Sequence, residues 1–354
     1  MSIRPPKRVR LRRSIPILAG LFALSPSCSS VRAQPGAVSA ADWSAYEAKF
    51  VREDGRVVDD GNGGVSHSES QGYGLLLAYL AGDRASFERI WTFTRLELLI
   101  RDDGLAAWKW DPAGNPHVTD INNATDGDIL IAYSLGLAGA SWKKPGYTAA
   151  ARKLATAIAA KAVKRASKRL LLMPGVDGFT RDDRPDGPVV NASYWVFEAF
   201  PVLSNLAPGT DWADVSQQGL SIIDGFAKAG QVVPDWTSLK ASPAPAAGFD
   251  AVSGYNALRI PLYLLRAGLG ERERLVPWQR AWARGPGIVA FATGQTTAPL
   301  PEPGYRMLKA SVDCAVYGAP IPEELRRFEP SLYYPSTLHL LARALVAERY
   351  PRCL

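Results

Sequence analysis

The strongest constraint on how this chain can fold is a succession of segments whose apolar residues recur every three to four positions. They cover residues 41–51, 70–80, 86–100, 124–137, 148–163, 192–203, 215–229, 254–265 and 337–347. Each carries the apolar stripe of an amphipathic helix, and loops rich in glycine and proline part them. The alternation of period two that marks a half-buried strand is scarce. Proline-rich pieces at 242–247 and 297–303 are short enough to be loops, and no shift in composition marks a second domain. Periodicity alone predicts a mostly helical protein of one domain. A helix number near a dozen, without sequence repeats, suits an α/α toroid with helix pairs in two concentric rings.

The first 33 residues stand outside that argument. Arg4, Lys7, Arg8, Arg10, Arg12 and Arg13 form a basic stretch, residues 15–24 a short apolar one, and Val31-Arg32-Ala33 offers a small-x-small cleavage site. This pattern predicts a secretory signal peptide over 1–33, with one domain over 34–354. The apolar run is too short for a spanning helix. Cys28 follows Ser25-Pro26-Ser27, a poor lipobox, and the flanks of Arg12-Arg13 fit a twin-arginine signal badly. The segment holds seven of the 41 Lys+Arg and no acid, leaving 34 against 34 Asp+Glu. The basic balance therefore belongs to the export segment, and nothing in the remainder argues for a nucleic-acid partner. About 320 residues remain, long for one ordinary domain but within reach of a closed barrel. Two cysteines also remain, Cys314 and Cys353. In an exported protein they can pair and pin the C-terminal tail, or stay as two buried thiols.

The chemistry concentrates between Ser68 and Trp142. Ser68-Glu69-Ser70-Gln71-Gly72-Tyr73-Gly74-Leu75 comes first, then Ala107-Trp108-Lys109-Trp110-Asp111-Pro112. Asn122-Asn123-Ala124-Thr125-Asp126-Gly127-Asp128 follows and leads into a helical run ending at Trp142. Carboxylates set among tryptophans and tyrosines suit carbohydrate chemistry, because aromatic faces stack on sugar rings while a paired acid and base cleave the acetal. Glu69 stands where a loop enters a helix. It reads as a general acid facing a cleft, or as a carboxylate capping the helix start. Asp126 and Asp128 read as acids favoured by a helix dipole, or as site residues. Two positions apart on a helix they point about 200° from each other, so Asp128 is expected to brace a loop or cap the helix. Trp108, Trp110, Tyr194, Trp195, Trp236 and Tyr255 are candidate stacking platforms, with the core as the alternative for each. His67, His117 and His339 are too few and too scattered for a metal cluster. Asp60-Gly61-Asn62-Gly63-Gly64 lacks the context of a phosphate loop, no nucleotide fingerprint or Ser-His-Asp order stands out, and no cofactor is expected.

These motifs resemble glycoside hydrolase family 8, and within it the endoglucanases that accompany bacterial cellulose synthesis. The Ser-Glu-x-Gln block matches at Ser68 to Gly74, and the family signature of acids and a spaced tryptophan matches from Ala124 to Trp142. Weaker echoes lie at Pro234-Asp235-Trp236 and from Gly254 to Pro261. The resemblance implies an all-α (α/α)6 barrel. It also implies a secreted or periplasmic, monomeric endo-β-1,4-glucanase that cleaves β-glucan with inversion, trims cellulose and associates with the cellulose synthase machinery. It assigns Glu69 as general acid, Asp126 as a grip on sugar hydroxyls, Trp108, Tyr194 and Tyr255 as substrate contacts, and Arg259 as the residue orienting the base. The departure is Asn256, where the best-known branch has the aspartate that activates water. An amide cannot take a proton at neutral pH. The reading leans to Asp250 as replacement, on the loop feeding the same helix, over Asp235, since inversion needs carboxyls about 6.5–9.5 Å apart. Chitosanase, xylanase and mixed-linkage glucanase activities remain alternatives, as does a glucan-binding protein that has lost its base.

Overall fold

The computed structural model describes residues 33–166 and 169–354. The expected signal peptide lies outside the described residues up to position 32. Among the described residues the helices are α1 (Ala40–Phe50), α2 (Ser68–Ala81), α3 (Arg84–Phe93), α4 (Thr125–Ser141), α5 (Pro145–Lys161) and α6 (Phe200–Leu206). They continue with α7 (Trp212–Lys228), α8 (Ile260–Ala267), α9 (Arg272–Ala281), α10 (Pro303–Tyr317), α11 (Glu323–Arg326) and α12 (Tyr333–Arg349). The even-numbered helices form an inner ring, in which α2 packs on α4, α4 on α6, α8 on α10, α10 on α12, and α12 back on α2. A short helical turn at Phe197–Ala199 bridges α4, α6 and α8. Each odd-numbered helix backs an inner one: α3 on α2, α5 on α4, α7 on α6, α9 on α8, α11 on α10, and α1 on α12. This is an (α/α)6 barrel.

Burial separates the rings. In α2, 12 of 14 residues are buried, and in α4, 14 of 17, so these helices are covered on nearly every side. Outer helix α7 buries only one stripe, including Trp212, Val215, Gly219, Ile222, Ile223 and Phe226. Two glycines let α2 and α4 touch at their starts. A Cβ on Gly72 would meet Leu130 Cβ at 2.5 Å, and one on Gly127 would meet Ser68 Oγ at 2.1 Å and Glu69 N at 2.6 Å. Backbone contact at those points draws the N-termini of the two helices together, and with them Glu69 and Asp126.

Short antiparallel strands decorate the barrel: β1 (Ser66–His67) with β2 (Lys109–Trp110), and β3 (Val163–Ala166) with β4 (Arg169–Leu172). Three-stranded sheets join β5 (Val189–Val190), β6 (Thr237–Ser238) and β7 (Ala244–Pro245), and β8 (Val252–Ser253), β9 (Gly287–Ala290) and β10 (Thr296–Pro299). The proline-rich pieces expected to be plain loops thus each contribute a strand, β7 and β10, with proline at the strand end.

Three expected helices are shorter or broken. The segment 86–100 leaves α-geometry at Phe93 for a π-helical turn, Thr94–Leu98. The segment 192–203 is two 3-10 turns followed by α6, which begins at Phe200-Pro201. The segment 254–265 opens as a 3-10 turn, Ala257–Arg259, before α8 starts with Pro261 near its first position. Helices α9 and α10 carry no amphipathic signal recognised from the sequence; Pro277 inside α9 interrupts its pattern. Cys314 in α10 and Cys353 after α12 form a disulfide, 39 residues apart.

Candidate active site

The N-cap of α2 is His67, and its ring is used on both sides. Nδ1 accepts from Ser70 N at 3.0 Å while Ser70 Oγ accepts from His67 N at 3.0 Å, a reciprocal capping box. Nε2 therefore carries the hydrogen, and it faces Asp59 Oδ2 at 3.3 Å. Burial pulls this imidazole down, but Asp59, Glu69 and Asp126 together hold it above its usual range. A second proton would enter at Nδ1 and displace the Ser70 cap.

Glu69, two residues beyond the cap, meets a buried guanidinium. Arg259 Nη1 donates to Glu69 Oε2, and Arg259 Nη2 donates to Asp126 Oδ2 at 2.5 Å and to Ser193 Oγ at 3.2 Å. Tyr194 covers the other side, its ring centroid 5.8 Å from the Arg259 guanidinium carbon. One positive charge thus serves two carboxylates drawn from helices far apart in the chain. Burial raises Asp126 to about 7, with the neighbouring Glu69 charge adding to it against Arg259. Burial also acts upward on Glu69, but Arg259 and His67 outweigh it and hold that carboxyl below its usual range. Below about pH 7 the pair therefore keeps one proton, on the Asp126 side, in the hydrogen bond between the two carboxyls. Glu69 is 18% exposed and Asp126 1%, so Glu69 opens to the cavity and Asp126 lies sealed behind it.

Asp128 braces a loop, as its helical angle implied. Its carboxylate accepts from Ala106 N at 2.8 Å and Asn123 Nδ2 at 2.9 Å. The braced segment runs into β2, which pairs Ser66 with Trp110 and His67 with Lys109. Trp108, whose carbonyl accepts from Ser68 N at 2.9 Å, is half-buried, with Nε1 on Asp120 at 2.8 Å and the Lys109 ammonium over its ring.

A cavity of about 440 Å³ opens at Glu69 and Arg259, walled by Tyr255, Asn256, Tyr305 and Tyr334 and by the Asp59–His67 pair. Tyr255, 52% exposed, stands at its mouth, and its carbonyl accepts from Tyr334 Oη at 2.8 Å. Asp59, His67, Ser193, Tyr305 and Tyr334 were not singled out as site residues from the sequence. Asp59 comes from a loop, Ser193 from a 3-10 turn, and Tyr305 and Tyr334 from α10 and α12, where no local motif marks them, while His67 directly precedes the Ser68–Gly74 block. Other aromatics sort differently. Trp195 is fully buried and bonds Val215 O at 2.8 Å, so it is core and not a platform. Trp236 is stacked between Phe249 and Phe179, and Trp110 lies on His117 with the Arg56 guanidinium above it.

Two expectations around Asn256 change. Arg259 was expected to reach that position, but its guanidinium is committed to Glu69 and Asp126. Asp250 is exposed and does not line the cavity. It precedes β8 in a tight turn, where its carbonyl accepts from Val252 N at 2.9 Å. The carboxylate next to Asn256 is instead Asp235. Its Oδ1 accepts from Gly254 N and Ala257 N, each at 2.8 Å, and the backbone N–H and side-chain amide of Asn256 face it as well.

Residues 17–289 match the model of a family described as glycosyl hydrolases family 8. A probable endoglucanase of Novacetimonas hansenii is 35% identical over 298 residues, 81% of this chain and 86% of that relative. An endoglucanase of Cellulomonas uda is 32% identical over 257 residues, 72% of this chain and 70% of that relative. Among solved structures, the endo-β-1,4-glucanase CMCax from Acetobacter xylinum superposes with a TM-score of 0.75 at 33% identity, covering 90% of this chain and 99% of that one. Endoglucanase Cel10 from Klebsiella pneumoniae does so at 0.76 and 27%, covering 87% and 99%.

Proposed function

From the premise that this chain belongs to glycosyl hydrolase family 8, we propose that it is an exported endo-β-1,4-glucanase that cleaves with inversion. The observation that carries the reading is the single guanidinium of Arg259 shared by Glu69 and Asp126 at the floor of an aromatic-walled cavity. A carboxyl pair that holds one proton near neutral pH is suited to general acid catalysis. Glu69 is the member open to the cavity and donates to the glycosidic oxygen. Asp126, buried behind it, replenishes that proton through their hydrogen bond and keeps the leaving-group side charged correctly. Tyr255 and Trp108 offer faces for sugar rings on either side of the cleavage point. The endoglucanase names of the relatives support β-1,4-glucan over chitosan or xylan as substrate. The proposed role is trimming cellulose as it is made, next to the synthase, by a monomer released from its signal peptide near Ala33. Loss of the aspartate at position 256 favours one rival, a glucan-binding protein without turnover.

Reducing-sugar release from carboxymethylcellulose separates the two. The wild type is expected to release sugar with α-configured new ends, and Glu69→Gln to lower the rate by about 10²–10⁴-fold with the fold retained. Rates should fall as pH rises through about 7, where Asp126 gives up the proton Glu69 needs. A wild type that binds cello-oligosaccharides yet releases nothing would establish the rival.

A further inference from the structure

We propose that Asp235 and Asn256 form one water-activating unit, in which Asn256 Oδ1 takes a proton from the attacking water and the Asp235 carboxylate takes one from Asn256 Nδ2. The inference rests on the endoglucanase reading above and supplies the base that reading lacks. Its geometry begins with Asp235. The side chain is 8% exposed and sits directly under the loop from Gly254 to Ala257, held there as Asp235 N donates to Val252 O at 2.8 Å. Glycine at 254 permits this, since a Cβ there would come 2.8 Å from Asp235 Oδ2. Oδ1 accepts from two backbone N–H groups, and the side-chain amide of Asn256 hydrogen-bonds the same carboxylate, which is the proton acceptor of the unit.

Asn256 joins this buried carboxylate to the cavity. Its side-chain amide faces Asp235 and it lines the cavity with Glu69, whereas Asp235 does not. An ionised carboxylate only accepts, so the amide turns its NH2 inward and presents Oδ1 to the cavity. Bare amide oxygen is a poor base. Coupled to a carboxylate it need not hold charge: water O–H breaks, hydroxide adds to the anomeric carbon, and the glycosidic C–O bond breaks with Glu69 protonating the leaving oxygen. Asn256 passes through its imidic tautomer as its N–H proton moves to Asp235. Afterwards Asp235 returns that proton to Nδ2, Oδ1 releases one to solvent, and Glu69 regains one, so protons balance over a turnover. Asp235 never touches sugar and is a positioning residue acting through Asn256. Burial raises its pKa against the lowering by the Ala257 and Gly254 amides, which makes it a better acceptor than an ordinary carboxylate.

The test is a rescue. Asp235→Asn keeps an oxygen for the Gly254 and Ala257 amides but removes the acceptor. It should lower kcat on cellohexaose by about 100-fold or more with KM changed less than about threefold. Asn256→Asp added to that variant places a carboxylate against the water itself, and should restore kcat to within about tenfold. Its acid limb should move to lower pH, because the new base faces the cavity rather than lying buried. Asp235→Asn at wild-type kcat overturns the unit, and so does a folded, inactive Asp235→Asn that Asn256→Asp fails to rescue. An inactive wild type sinks the endoglucanase reading itself, whereas an active wild type indifferent to Asp235→Asn sinks the unit alone.

Discussion

Arg259 is the residue on which the site turns, since it lies 1% exposed between two carboxyls whose shared negative charge would otherwise have no counter-charge. Replacing it with methionine keeps the volume and removes the charge. At pH 7 this should cost about 3–5 kcal/mol, the usual penalty for stripping one partner from a buried ion pair. The loss should shrink toward pH 4. Glu69 has a depressed pKa in the folded protein, so its pairing stabilises above the unfolded value and fades as pH falls through the folded one. Urea melts of both proteins at the two pH values check this, and an equal gap at each would show that packing, not charge, dominates. Glu69, Asp126 and Arg259 were each legible in the sequence, but not their connection. The chain separations of 190 and 133 residues leave no local trace of who pairs with whom. Asp250 looked better than Asp235 for the same reason, because it is six residues from Asn256 while Asp235 is its neighbour only in space.

At the scale of elements, α2 and α4 matter through the closeness of their first turns. Gly127→Ala would drive a Cβ into Ser68 Oγ and the Glu69 backbone, so it should destabilise by about 1–3 kcal/mol and, on the proposed function, lower kcat by displacing Glu69. Gly225→Ala is the matched control on the exposed face of outer helix α7, where nothing lies within 4 Å. It should stabilise by about 0.5–1 kcal/mol with activity unchanged, because alanine loses less backbone entropy than glycine. Thermal melts and rates of the two variants should move in opposite directions. Pattern placed α1, α2, α4, α5, α7 and α12 closely because each is a long uninterrupted helical run, one-sided in α7 and apolar nearly all round in α2 and α4. It overextended where proline at Pro201 and Pro261 forced 3-10 turns first, and those turns are what aim Tyr194 and Arg259 into the site.

The whole molecule closes where α12 returns to α1 and α2, and the Cys314–Cys353 disulfide ties the tail behind α12 to α10. The Cys353 carbonyl also accepts from Ile321 N at 2.7 Å. Cys314→Ser with Cys353→Ser should lower stability by about 2–4 kcal/mol through the loop of 39 residues that the bond closes in the unfolded chain. Urea midpoints with and without reductant measure it, and a wild type insensitive to reductant would show that the barrel closes without the bond. By itself the sequence determined the helical class, the resemblance to family 8, and the acids at the starts of α2 and α4, because periodicity and capping chemistry are local. Tertiary structure alone decided that Asp126 lies behind Glu69, that Arg259 bridges them, and that Asp235 rather than Asp250 stands against Asn256. Those facts depend on closing a ring of six inner helices, and ring closure joins residues whose spacing along the chain carries no sign of their contact.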